Sequence, residues 1–217
     1  MRWNHMTAKT LRSFVFASAL GASVGLSALP ASATTFNLGS PSGLLGTTQT
    51  YTADGITITA AGFSGPAALG VGTPNVNLFG KAAGGDEVGV GLNNDTFAGE
   101  DEISGNSLIR IAMAANLTNV SFMMDSSTAP DAWTVMGSNS ATSGFVPLFS
   151  GTDEGVSHPL PFMNFYTFSA TAGNVLVESI SATAVPGPIV GAGLPGLVAA
   201  CGGLLALARR RRRQVVA

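Results

Sequence analysis

Residues 47–63 read TTQTYTADGITITAAGF. On both sides of Asp54-Gly55 side chains alternate in kind, and the runs are rich in threonine, isoleucine and tyrosine. A period of two with β-branched and aromatic residues is the pattern of a half-buried strand. Asp-Gly between two such runs marks a type I′ hairpin, because both central residues must take positive φ and this pair does so at low cost. This part of the chain is therefore committed to antiparallel sheet.

The same pattern recurs in both directions. NVNLF (75–79), VGVGL (88–92), SLIRIAM (107–113), NVSFMMD (119–125), AWTVMGS (132–138), FVPLFS (145–150), FMNFYTFSA (162–170) and VLVESISATA (175–184) are eight further strand candidates. With the hairpin they make ten. The 20 Gly and 7 Pro of residues 34–184, with many Ser, Thr and Asn, supply the turns between them. Many short strands with frequent turn residues and no long helical periodicity predict an all-β, jelly-roll-like β-sandwich body. In SLIRIAM, Leu108 and Arg110 point one way and Ile109 and Ile111 the other, which predicts Arg110 on the solvent face. A body of this size can bury an adequate core without disulfides, and Cys201, the one cysteine, lies outside it.

Charge separates the body from its flanks. All twelve acidic residues but only two basic ones, Lys81 and Arg110, fall in residues 34–184, a formal charge of −10. Such a surface repels phosphate backbones, so nucleic acid is not an expected partner. The other eight basic residues lie near the two ends. MRWNHMTAKTLRS is a basic lead, residues 14–29 are uncharged and apolar, Pro30 breaks the run, and Ala31-Ser32-Ala33 has small residues at the two positions a signal peptidase reads. Residues 1–33 are therefore expected to be a secretory signal peptide, with Ala31 and Ala33 at the cleavage site and Thr34 as the mature N-terminus. The body, 34–184, is expected outside the cytoplasm.

The far end reads VPGPIVGAGLPGLVAACGGLLALARRRRRQVVA. Residues 189–208 are uncharged and, as a helix rising ~1.5 Å per residue, span about 30 Å, the thickness of a bilayer core. Arg209, Arg210, Arg211, Arg212 and Arg213 follow as a membrane stop signal on the cytoplasmic side. Pro186 and Pro188 hold the segment before the span extended, since proline fixes φ and lacks an N–H. Together, Pro186-Gly187-Pro188, a short span and an arginine cluster, over residues 185–213, resemble the PEP-CTERM sorting signal. Gly187 stands where that family usually has Glu. The resemblance implies a transient membrane-anchored precursor, processed by an exosortase-like membrane protease or transpeptidase of Gram-negative bacteria.

The body shows little catalytic chemistry. His158 is its only histidine and precedes Pro159 in an expected surface loop; no G-x-S-x-G elbow and no cysteine nucleophile accompany it. An enzyme is not expected. The one local concentration is GGDEVGVGLNNDTFAGEDEIS, in which Asp86, Glu87, Asp95, Glu100, Asp101 and Glu102 place six carboxylates within seventeen positions. Oxygen-rich loops on one rim would suit Ca²⁺, which takes six to eight oxygen ligands; the alternative is a solvated acidic rim. Trp133, Tyr51 and Tyr166 are the only Trp and Tyr of the body. The expected function is an exported cell-surface or extracellular matrix protein associated with exopolysaccharide or biofilm. A calcium-dependent carbohydrate-binding module is the alternative, and a secreted hydrolase the third reading. Exposed rings beside a groove would favour the sugar-binding reading, and buried rings the matrix reading.

Overall fold

A computed structural model describes residues 32–64, 71–82, 87–93, 101–114, 117–125, 131–185, 198, 201–207 and 209. The expected signal peptide, except Ser32 and Ala33, lies outside these residues, as do Pro186, Gly187, Pro188 and Arg210–Arg213.

Fourteen strands are described: β1 (Ala33–Asn37), β2 (Gly43–Gly46), β3 (Thr48–Ala53), β4 (Ile56–Ser64), β5 (Asn77–Lys81), β6 (Gly89–Asn93), β7 (Ile103–Ser104), β8 (Ser107–Ala112), β9 (Leu117–Asp125), β10 (Ala132–Ser138), β11 (Val146–Gly151), β12 (His158–Leu160), β13 (Phe165–Ala172) and β14 (Asn174–Ala184). The hairpin that anchors the sequence argument forms as expected. Ala53 pairs Ile56, and Asp54 and Gly55 have φ of 49° and 76°, both left-handed. All ten expected strands are present. The four additions, β1, β2, β7 and β12, are no longer than five residues.

The strands form two antiparallel sheets of a β-sandwich. The six-stranded sheet runs β11-β10-β13-β8-β4-β3. The eight-stranded sheet runs β12-β9-β14-β6-β5-β2, with β1 and β7 also on β14. β14 organises this second sheet. One side pairs with β9, and the other is shared in turn by β7 at Asn174 and Val175, β6 at Val177, and β1 from Ser179 to Thr183. The first and last strands of the sandwich are thus neighbours, with Ala33 opposite Thr183.

Strand alternation builds the core. Ile56, Ile58 and Ala60 on β4, Ile109 and Ile111 on β8, and Phe168 on β13 meet Val90 and Leu92 on β6, Phe122 and Met124 on β9, and Val175, Val177 and Ile180 on β14 in one cluster drawn from both sheets. Ala61, Phe63 and Leu108 form a separate, smaller cluster. Arg110, expected on the solvent face, is half-buried. Its guanidinium lies 4.8 Å from the centre of the Phe63 ring and donates through Nη1 to the Ala141 carbonyl at 3.0 Å. Burial lowers its pKa from the usual value.

Beyond the sandwich, residues 201–207 are helical and exposed, including Leu204, Leu205 and Leu207. Among the described residues no helix is long and apolar enough to cross a membrane; most of the expected span, 189–208, lies outside them.

Candidate functional site

Lys81 ends β5, opposite Gly89 at the start of β6. Glu87 lies just before β6, and Glu102 just before β7. This arrangement brings Lys81 Nζ to Glu87 Oε2 at 2.6 Å and into contact with Glu102 Oε1. Glu102 is almost wholly buried, at 2% exposure. Burial raises its pKa most. Lys81 pulls it back, Glu87 pushes it up again, and the result is about 7. For Lys81, burial acts to lower the pKa, but its bonds to Glu102 and Glu87 outweigh that and raise it.

Close packing places Glu102. Gly91 of β6 lies against the preceding residue so tightly that a Cβ there would come 2.0 Å from the Asp101 carbonyl oxygen. Any side chain at position 91 would push the segment carrying Glu102 away from Lys81. Asp101 itself takes φ of 56° and accepts a hydrogen bond from Asn93 Nδ2 at 2.7 Å.

Of the six carboxylates expected to form a calcium rim, the structure brings together Glu87 and Glu102, on a lysine. Asp101 is engaged by Asn93. Asp86, Asp95 and Glu100 lie outside the described residues. Among the described residues no three His, Cys, Asp or Glu side chains gather as a metal site. Asp125, not part of the expected set, accepts from the Val88 N–H through Oδ2. Burial, then the nearby Asp125, Asp131 and Glu87, raises the pKa of Glu154.

A second concentration has no counterpart in the sequence. Phe122 of β9, Trp133 of β10, Phe149 of β11, His158 of β12 and Phe168 of β13 converge from both sheets. Trp133 stacks on Phe149 with centroids 5.7 Å apart and meets Phe122 edge-on at 5.3 Å. The His158 ring lies 4.5 Å from Phe149 and 5.3 Å from Trp133. His158 is therefore not the surface loop residue expected from SHPLPF. It is buried and its strand, His158–Leu160, alternates inward, outward, inward about Pro159. Its Nε2 lies 2.9 Å from Asp153 Oδ2, at ion-pair distance but not aligned as a hydrogen bond. The Asp153 carbonyl accepts from Trp133 Nε1 at 3.1 Å, so one residue of the loop after β11 touches both rings.

The other rings that could have faced a sugar are also inside. Tyr51 and Tyr166 are buried. Tyr51 donates to the Leu38 carbonyl at 3.1 Å, and burial raises its pKa. Tyr166 donates to the Pro161 carbonyl at 2.7 Å, and burial pushes its pKa up to about 12. No family model, curated protein or solved structure matches the chain.

Proposed function

We propose that the jelly-roll-like sandwich is the body of an exported cell-surface or extracellular matrix protein associated with exopolysaccharide or biofilm. In this reading residues 1–33 are removed by signal peptidase and residues 185–213 address the chain to an exosortase-like enzyme through a transient membrane span. The observation that supports it best is the pairing of β1 with β14. Ala33, at the expected signal cleavage, sits opposite Thr183, two residues before the expected sorting segment. Cleavage at both points would leave every strand of the sandwich in place, less the first residue of β1. The exposed leucines of 201–207 are in keeping with an apolar segment meant for lipid. Arginine at a bilayer centre costs ~2.5–3.5 kcal/mol per residue on insertion scales, so five in a row would hold the C-terminus on the cytoplasmic side.

Burial of Trp133, Tyr51 and Tyr166 weighs against the alternative of a calcium-dependent carbohydrate-binding module, which needs an exposed ring to stack on a sugar. The test is the mass of both termini of the protein recovered from the surface of a Gram-negative host carrying an exosortase. Thr34 at the start and loss of Arg209–Ala217 at the end are expected. Retention of the arginine cluster in the steady-state protein would overturn the sorting reading, and a retained Met1 the export reading.

A further inference from the structure

The two sheet paths end on β12 and β2 in one and on β11 and β3 in the other, and β1, off the path, pairs only β14 among the described residues. An open edge presents unpaired backbone groups that can template another strand, and proteins usually blunt it with proline, glycine, brevity, bulges or charge. Three of these edges are blunted. β12 has three residues and contains Pro159. β2 has four, with Gly43 and Gly46 at positive φ and a register shift against β5. β11 contains Pro147, and its pairing with β10 is broken between Val135 and Met136.

β3 has none of these devices, and of the two strands that lack them, β1 and β3, it is the one that ends a sheet path. Thr48–Ala53, TQTYTA, is six residues without proline, glycine or charge, and its register with β4 is unbroken. Gly62 N–H donates to the Thr47 carbonyl, which fixes the hydrogen-bonded pairs at positions 47, 49, 51 and 53. The backbone groups of Thr48, Thr50 and Thr52 therefore point away from β4, toward the open side. The Thr50 carbonyl accepts from the side-chain amide of its neighbour Gln49 at 3.0 Å, and among the described residues no strand pairs with this side of β3. The side chains of Thr48, Thr50 and Thr52 are all exposed.

We infer that β3 is a self-association edge, at which the β3 strands of two copies of this chain pair antiparallel about a two-fold axis at Thr50 and join their six-stranded sheets into one. Two features single out a second copy as the occupant. The edge carries no charge on a body at −10, so nothing on it would select a basic or an acidic partner. The threonine pattern is also self-complementary. The axis sets Thr50 against Thr50 and Thr48 against Thr52 of the second copy, extending the hydroxyl ladder already made across the hairpin by Thr52 and Thr57 at 3.1 Å and Thr50 and Thr59 at 3.5 Å. Such an interface is isologous and closes at a dimer. It would form whether or not the tail is processed.

The test uses the full chain in detergent micelles with Cys201→Ser. Thr50→Cys should oxidise to a disulfide-linked dimer, whereas Ser150→Cys, on the blunted β11 edge, should give at least tenfold less. Thr50→Lys and Thr50→Glu, which leave every intrachain backbone bond in place, should each lower association of the otherwise unmodified chain at least tenfold by sedimentation, and mixing the two should restore it. A monomeric wild-type chain, equal cross-linking at positions 50 and 150, or association indifferent to charge at position 50 would each overturn the assignment.

Discussion

The aromatic cluster and the Lys81 cluster solve the same problem, holding strands from distant parts of the chain together, by opposite means. Around Trp133 five rings from five strands pack with little charge, and the one polar link is a loop residue, Asp153, at the margin. Around Lys81 one ammonium holds two carboxylates from two other segments, one of them buried. Ring packing gains from every atom pair without needing a charged partner. An ion cluster depends on each partner, because removing one strands the others away from water.

The sharpest way to break that contrast is at its apolar side. Trp133→Ala deletes the ring shared by Phe122, Phe149 and His158, and a destabilisation of about 3–5 kcal/mol is expected in denaturant unfolding.

Lys81→Met should cost less, about 2–3 kcal/mol, because the ammonium is partly exposed and screened. This cost should depend on pH. The Glu102 carboxyl titrates at about 7 in the folded protein against an ordinary 4.5, so the folded state binds the proton more tightly. Its stabilising effect is complete below about 4.5 and is lost as pH rises through 7. Wild-type stability should fall between pH 5 and pH 8, Glu102→Gln should flatten that fall, and the Lys81→Met penalty should shrink at pH 5, where Glu102 is neutral. Glu154 and Glu178, both raised by burial, act in the same direction and leave a residual slope. A slope unchanged in Glu102→Gln would remove Glu102 from this role.

Asp153→Asn sharpens the comparison from the other side. Its carboxylate is 43% exposed, so losing its attraction to His158 should change stability by no more than about 0.5 kcal/mol. The backbone link to Trp133 is retained. A larger loss would mean that the aromatic cluster leans on charge after all.

The two clusters also differ in how much the sequence reveals of them. The carboxylates stand out because six fall together in the chain, yet the described site needs Lys81, five residues upstream of the run. The aromatic cluster is invisible in one dimension: its members lie at 122, 133, 149, 158 and 168, each an ordinary inward position on its own strand. The sequence misleads at His158 because a His-Pro pair looks like a turn, while a three-residue edge strand can hold proline where its missing N–H faces outward. Longer strands were legible for the opposite reason. Runs such as SLIRIAM and VLVESISATA repeat the alternation often enough to declare it, whereas GLLG and the two residues of β7 do not. Alternation sets Arg110 opposite the inward Ile109 and Ile111, but its cover, Phe63 and the Ala141 carbonyl, comes from other segments and leaves it half-buried rather than on the solvent face.

The position of β14 sets a timetable. A ribosome releases the chain from its beginning, so β1, β6, β7 and β9 are all made before β14, with which each of them pairs. Residues 174–184 arrive last among the strands of the sandwich, and until they do the eight-stranded sheet has no middle. The six-stranded sheet can gather earlier, but it has only half of its core to close upon. Such long-range pairing makes folding slow to begin and late to finish. Closure of the eight-stranded sheet therefore waits on the last strand of the sandwich.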